Sequence, residues 1–103
     1  MPAEPAPPHT PAARAVALRI EGNVQGVGFR KWTQRIAQQL GLAGWVRNRR
    51  DGSVEIVFRG APAAVDEAVS RCRVGPRSAK VTAVSVDEAK PPDALGFSIL
   101  PGL

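Results

Sequence analysis

The chain has 103 residues, which fits one domain with a modest hydrophobic core. Its single cysteine, Cys72, excludes an internal disulfide and every cysteine-based metal motif, and it favours a reducing, cytoplasmic location. The net charge of +5 indicates either anionic partners in general or surface charge that serves only solubility. No run approaches the ~18 apolar residues of a membrane span, so no membrane association is expected.

The first residues, "MPAEPAPPHTPAAR", combine many prolines with little apolar surface. This composition predicts a disordered, dispensable tail over residues 1–14, followed by one domain over residues 15–103. His9 is the only histidine and lies in this tail, so no catalytic role is expected for it. The usual general base is therefore missing from the domain.

Apolar and polar residues alternate from Ala15 to Ile20, which predicts a strand with Val16, Leu18 and Ile20 on its buried face. After the glycine-rich segment "GNVQGVGFR", a 3.6-residue period predicts an amphipathic helix that ends at Gly41. The residues of its apolar stripe are Phe29, Trp32, Thr33, Ile36, Ala37 and Leu40.

The segments "LAGWVRN" and "SVEIVFRG" predict two further strands, joined by a hairpin at Asp51-Gly52. In the third strand, inward positions are expected for Val54, Ile56 and Phe58, and outward positions for Ser53, Glu55 and Arg59. A second helix is expected from about Pro62. Its buried stripe comprises Val65, Ala68, Val69 and Cys72, which makes Cys72 a core residue rather than a reactive thiol.

"KVTAVSVDEA" predicts a fourth strand and "LGFSIL" a short edge strand. The order is strand, helix, strand, strand, helix, strand. It indicates an α+β, ferredoxin-like split βαβ sandwich, with an antiparallel sheet of four to five strands and two helices on one face. Many functions share this fold, so the fold alone does not identify the function and the site residues decide it.

The glycine-rich segment is typical of an anion site, but it matches no common phosphate motif. It lacks the lysine and hydroxyl residue of a Walker loop, the third glycine of a dinucleotide fingerprint, and the cysteine of a phosphatase loop. Gly22, Gly26 and Gly28 allow backbone N–H groups to converge on an oxyanion, and the Arg30 guanidinium can grip two phosphoryl oxygens. A merely tight turn with a surface arginine is the alternative.

Asn48 is the second polar residue of interest. It shares the parity of Gly44 and Val46, which predicts a side chain on the buried face at the end of the second strand. The carboxamide would either satisfy turn backbone or hold a water molecule.

These segments closely resemble the acylphosphatase family, from about Ala15 to Ile99, through "VQGVGFR", "GWVRN…DGSVE" and "GPRSAKVTAV". The resemblance implies that Asn48 positions the attacking water and that Arg30 binds the phosphoryl group, so both are expected to be catalytic. It also implies substrate binding by the loop, whose residues are Gly22, Asn23, Val24, Gln25, Gly26, Val27 and Gly28, together with Arg30.

The implied reaction is hydrolysis of an acyl phosphate to a carboxylate and inorganic phosphate, and the residues fit it. A site without strong acid–base groups suits a leaving group whose parent acid has a pKa of about 4, since no protonation is needed. Phosphoryl transfer through a loose transition state requires mainly that the reactants are positioned and that the charge on the phosphoryl oxygens is stabilised. No metal or other cofactor is expected.

Two other functions are weighed against this one. A nucleic-acid module is disfavoured because the stacking aromatics of RNA-recognition sheets are missing, so no nucleic-acid partner is expected. A domain that binds carbamoyl phosphate within a larger maturation protein would need a cysteine-rich region, which this sequence lacks up to Leu103. A stand-alone, monomeric enzyme is expected, since no long apolar strand edge compels dimerisation.

Overall fold

The computed structural model describes residues 13–91 and 95–103. The elements in chain order are β1 (Arg14–Asn23), α1 (Phe29–Gln39), β2 (Ala43–Asn48), β3 (Val54–Gly60), α2 (Pro62–Val74), β4 (Lys80–Glu88) and β5 (Phe97–Ile99). The predicted βαββαβ order is confirmed, with β5 as the short additional strand.

One mixed sheet carries the fold, with the strand order β4-β1-β3-β2-β5. The first four strands pair antiparallel, as predicted. The edge strand β5 pairs parallel with β2, which the sequence did not indicate. Helices α1 and α2 cover the face of the sheet that carries the buried side chains, so the ferredoxin-like α+β class is confirmed.

The core lies between this sheet face and the two helices. Strands β1 and β3 contribute the predicted inward residues, each at most 1% exposed: Val16, Leu18, Ile20, Val54, Ile56 and Phe58. Helix α1 buries Phe29, Thr33, Ile36 and Ala37, and α2 buries Val65, Ala68 and Cys72. Each large apolar side chain removed from water contributes about 1.5–3 kcal/mol to stability.

Cys72 is a core residue, as predicted. Its side chain is fully buried, and burial raises the pKa of its thiol to about 12, because the thiolate would lose its hydration. The neutral thiol therefore packs as a small apolar group.

Ser53 was expected to face outward, and this prediction is wrong. The residue is 3% exposed because it precedes the first residue of β3 and lies in the hairpin turn. Its N–H and hydroxyl donate to Oδ1 of Asp51, at 3.0 and 2.5 Å. Turn hydrogen bonding, and not strand alternation, sets its environment.

Strand β1 begins at Arg14, one residue before the expected start of the domain. Residues 1–12, with His9, lie outside the described residues, so disorder of the tail stays a prediction. Within the described ranges, no helix is long and apolar enough to cross a membrane.

Candidate active site

The sheet topology brings the two predicted site segments to the same edge. Strands β1 and β2 are both antiparallel to β3, so they run in the same direction on either side of it. Ile20 of β1 and Asn48 of β2 are both register partners of Val54. The loop that follows β1 therefore starts next to the end of β2.

The loop of residues 24–28 connects β1 to α1 and is anchored at both ends. Val24 is 1% exposed and belongs to the core, and the carbonyl of Val27 accepts a hydrogen bond from the Ser78 hydroxyl at 2.6 Å. Gly26 and Gly28 have φ values of 73° and 81°, and an added Cβ would meet nothing within 4 Å at either position. Both glycines thus keep the left-handed backbone and an open space above it.

The backbone N–H groups of this loop and of the first turn of α1 have no acceptor among the described residues. From Gln25 to Lys31, none of them donates to a backbone or side-chain acceptor of the part of the chain that the structure describes. The first intrahelical bond runs from the Trp32 N–H to the Gly28 carbonyl, at 3.1 Å. Successive free N–H groups at a helix N-terminus form an anion-binding site.

Two cations stand in the first turn of α1. The Arg30 and Lys31 side chains are exposed, and neither forms an ion pair with any described carboxylate. The first turn holds no acidic residue. Because the helix dipole favours negative charge at this end, these cations lie where an anionic ligand would neutralise them.

Asn48 is the last residue of β2 and is half-buried. Its backbone carbonyl accepts a hydrogen bond from the N–H of Leu103 at 3.1 Å. Its side-chain Oδ1 is buried and has no hydrogen-bond partner among residues 13–91 and 95–103. A buried acceptor without a donor is unfavourable by ~1–3 kcal/mol, so this atom has a free position for the O–H of a water.

A pocket of about 320 Å³ joins these groups. Its lining residues are Val24, Gly26, Gly28, Phe29, Arg30, Lys31, Asn48 and Ile99. The phosphate-binding and water-holding groups predicted from two separate sequence blocks thus open into one cavity. The lining combines the apolar residues Val24, Phe29 and Ile99 with two glycines, two cations and Asn48.

Several predicted binding residues lie outside this lining. Asn23 is exposed and pairs with Lys80 of β4. Gly22 lies at a bulge between β1 and β4, where an added Cβ would stand 2.1 Å from the Lys80 carbonyl oxygen. This close strand approach explains Gly22 without a ligand. Gln25 and Val27 also lie outside the lining. Gln25 donates to backbone carbonyls of the hairpin between β2 and β3, and the Val27 carbonyl accepts from Ser78.

Three lining residues were missed by the sequence analysis: Phe29, Lys31 and Ile99. Phe29 was expected only as a residue of the apolar stripe of the helix. Lys31 follows Arg30 directly, and the absence of acidic residues from the first turn of α1 was the available signal. Ile99 reaches the pocket because β5 pairs with β2. That pairing is a tertiary contact without a local sequence signal.

Among the described residues, no three His, Cys, Asp or Glu side chains are grouped so that they could hold a metal ion.

Comparison with known protein families matches residues 16–99 to the family described as acylphosphatase. The chain belongs to the acylphosphatase family. A protein named acylphosphatase from Azoarcus sp. (strain BH72) is 50% identical over 97 residues, which cover 94% of this chain and 97% of that protein. The crystal structure of acylphosphatase from Bacillus subtilis aligns with a TM-score of 0.79 at 40% identity, covering 84% of this chain and 97% of that chain.

This acylphosphatase fold is also found inside a much larger protein. The crystal structure of full-length HypF in its phosphate- and nucleotide-bound form aligns with a TM-score of 0.85 at 26% identity. The alignment covers 93% of this chain and 13% of that chain.

Proposed function

We propose that this protein hydrolyses acyl phosphates to a carboxylate and inorganic phosphate, in the pocket between the loop of residues 24–28 and Asn48. The observation that carries the proposal is the meeting of three features in that pocket. They are the backbone N–H groups and the Oδ1 of Asn48, which have no hydrogen-bond partner within residues 13–91 and 95–103, and the Arg30 guanidinium. The family and the names of its relatives support the same activity.

The phosphoryl group binds to the N–H groups of the loop and of the first turn of α1. Arg30 adds a planar fork that donates to two phosphoryl oxygens, each charge-assisted bond being worth about 1.5–3 kcal/mol. Charge on the equatorial oxygens in a loose transition state is then stabilised by donors that are already oriented.

Asn48 holds the attacking water. Its Oδ1 accepts one hydrogen of the water, which directs an oxygen lone pair towards the phosphorus. The new P–O bond forms as the bond between phosphorus and the acyl oxygen breaks, and the electron pair of the broken bond leaves on the carboxylate. The proton that the water loses passes to the phosphate product or to solvent.

This arrangement explains the substrate class. A carboxylate leaves without protonation, whereas an alkoxide needs a general acid, and a carboxamide cannot supply one. Acyl phosphates should therefore react much faster than ordinary phosphate esters. Arg30 and the N–H groups supply the positive potential, so we also propose that the reaction is independent of added metal.

The proposal is tested by hydrolysis of benzoyl phosphate in the presence of EDTA, with phenyl phosphate as the control substrate. Arg30→Gln is expected to lower kcat/KM by about 10²–10³-fold. Asn48→Ala is expected to lower kcat by about 10²-fold with little change in KM. Wild-type rates in either variant, with the fold intact by circular dichroism, would contradict the assignment.

Phosphate binding without hydrolysis is the alternative function, and the aligned HypF structure is described as phosphate-bound. In that case inorganic phosphate would bind at the loop, and Arg30→Gln would weaken that binding. Benzoyl phosphate would nevertheless not be hydrolysed by the wild-type protein. Isothermal titration with inorganic phosphate alongside the hydrolysis assay separates the two outcomes.

The predictions of a monomer, of a cytoplasmic location and of no nucleic-acid partner stay predictions.

A further inference from the structure

The side chain of Gln25 makes contacts that the proposed reaction does not use. It is half-buried, and its Nε2 donates to the backbone carbonyl oxygens of Arg49 at 2.7 Å and of Ser53 at 2.9 Å. A primary amide nitrogen has two hydrogens, so both donors of Gln25 are used on the hairpin between β2 and β3.

The two carbonyls belong to the residues that close that hairpin. The Arg49 N–H donates to the Ser53 carbonyl at 2.9 Å, and the Gly52 N–H donates to the Arg49 carbonyl at 3.2 Å. Arg49 directly follows Asn48. Gln25 thus binds the backbone next to the residue that is proposed to hold the water.

This amide is the direct polar link between the two halves of the site. Within residues 13–91 and 95–103, no other hydrogen bond joins the loop of residues 24–28 to the turn of residues 49–53. Strands β1 and β2 are not paired with each other, because β3 lies between them. The register through β3 sets where the loop and the turn begin, and beyond the strand ends their spacing depends on local contacts.

We infer that Gln25 is a positioning residue that sets the distance between the phosphate-binding N–H groups and Asn48. The inference rests on the proposed function. A displacement of about 1 Å in an in-line attack lowers the rate by roughly 10²-fold. A side chain that links both reacting groups through rigid backbone therefore controls kcat without contacting the substrate.

The experiment is a double-mutant cycle of Gln25→Met and Asn48→Ala, with benzoyl phosphate as substrate. Methionine keeps the length of the side chain and removes both hydrogen bonds. Gln25→Met is expected to lower kcat by about 10–100-fold. Its KM and its inhibition by inorganic phosphate are expected to change less than about threefold, because Arg30 and the N–H groups remain. In the Asn48→Ala background, the same substitution should change kcat less than about twofold.

Gln34 offers a matched control. It is also a half-buried glutamine whose Nε2 donates to a backbone carbonyl, that of Phe97, at 3.1 Å, and it lies outside the pocket. Gln34→Met is expected to leave kcat within about twofold of the wild type. An equal loss in both Gln variants would mean a general effect on packing and would overturn the inference.

Two kinetic outcomes also overturn it. If Gln25→Met lowers kcat by the same factor with and without Asn48, the residue does not act through Asn48. If the loss lies in phosphate affinity, the residue serves only the binding loop.

Hydrogen exchange separates this inference from the proposed function. Gln25→Met should speed exchange of the Arg49 amide about tenfold or more, while Gln34→Met should not. A protein without turnover would contradict the proposed function, and the Arg49 exchange would still decide whether Gln25 holds the hairpin. Unchanged exchange would overturn the positioning role.

Discussion

The glycines of "GNVQGVGFR" belong to one motif, but glycine is required at each position for a different structural reason. At Gly22, φ is 125° and an added Cβ would stand 2.1 Å from the Lys80 carbonyl oxygen. At Gly26, φ is 73° and the space is open. The first glycine lets two strands approach, and the second leaves room above the N–H groups of the pocket.

Alanine substitutions at Gly22 and Gly26 should therefore lower the stability of the protein by different amounts. Gly22→Ala is expected to lower the free energy of unfolding by about 2–4 kcal/mol, because the backbone of β4 must move. Gly26→Ala should lower it by only about 1–2 kcal/mol, the strain of a left-handed alanine. Guanidinium unfolding measures both. Equal losses of stability would contradict the distinction between close approach and open space.

Lys31 is predicted to strengthen anion binding while it weakens the helix. It lines the pocket beside Arg30 in a first turn without acidic residues. Lys31→Met should raise the inhibition constant of inorganic phosphate about 2–10-fold, with a smaller effect at high salt. Stability should rise slightly, since cations at a helix N-terminus are unfavourable.

The control for Lys31 is Arg35→Met, at an exposed position of the same helix outside the pocket lining. It should leave phosphate inhibition within about twofold of the wild type. Equal effects of the two substitutions would mean that only the net charge of the molecule matters.

At the scale of elements, the carboxylate of Asp51 is one of the groups that stabilise the hairpin between β2 and β3. Asp51 accepts two hydrogen bonds from Ser53 and forms an ion pair with Arg19. The hydrogen bonds from Ser53, assisted by the charge of Arg19, lower the pKa of Asp51 from 3.8 to about 2. The carboxylate is thus stabilised in the folded chain relative to the unfolded chain.

This shift predicts an acid-dependent part of the stability. Because the pKa of Asp51 is lower in the folded state, its contribution is present above about pH 4 and is lost as the pH falls from 3.8 towards 2. The urea midpoint of Asp51→Asn should lie below that of the wild type at neutral pH. The gap should close over that acid range. A gap of constant size down to pH 2 would contradict the assignment.

Sequence periodicity predicted the helices and strands well. It failed where strand pairing or turn hydrogen bonds determine the burial or the position of a residue. Val16 and Phe58 are buried as strand alternation requires. Ser53 is buried because turn hydrogen bonds override that alternation. The parallel pairing of β5 with β2 depends on where the chain returns after β4, and no local pattern encodes that register.

At the scale of the whole molecule, the sequence predicted which residues belong to the site but not the tertiary contacts that align them. Arg30 and Asn48 could be chosen by residue type and family motif, and the structure places both in one pocket. Their alignment depends on the order of strands β1, β3 and β2 and on the amide of Gln25. Side-chain contacts between distant segments of this kind are invisible to composition and periodicity.

The last prediction concerns the boundary of the domain. Arg14, the first residue of β1, donates to Glu88 of β4 and to Asp66 of α2, and all three side chains are substantially exposed. Exposed ion pairs contribute little to stability, because water screens them. A chain that starts at Ala15 is therefore expected to keep kcat/KM within about twofold of the full chain.

A point variant separates the contribution of the Arg14 ion pairs from that of residues 1–13. Arg14→Ala in the full chain removes the ion pairs and keeps residues 1–13. If both chains unfold at the same guanidinium midpoint, residues 1–13 add nothing to the domain. A truncated chain that loses activity while Arg14→Ala keeps it would mean that residues 1–13, or the backbone of Arg14 paired with Gly60, contribute to the fold or to the pocket.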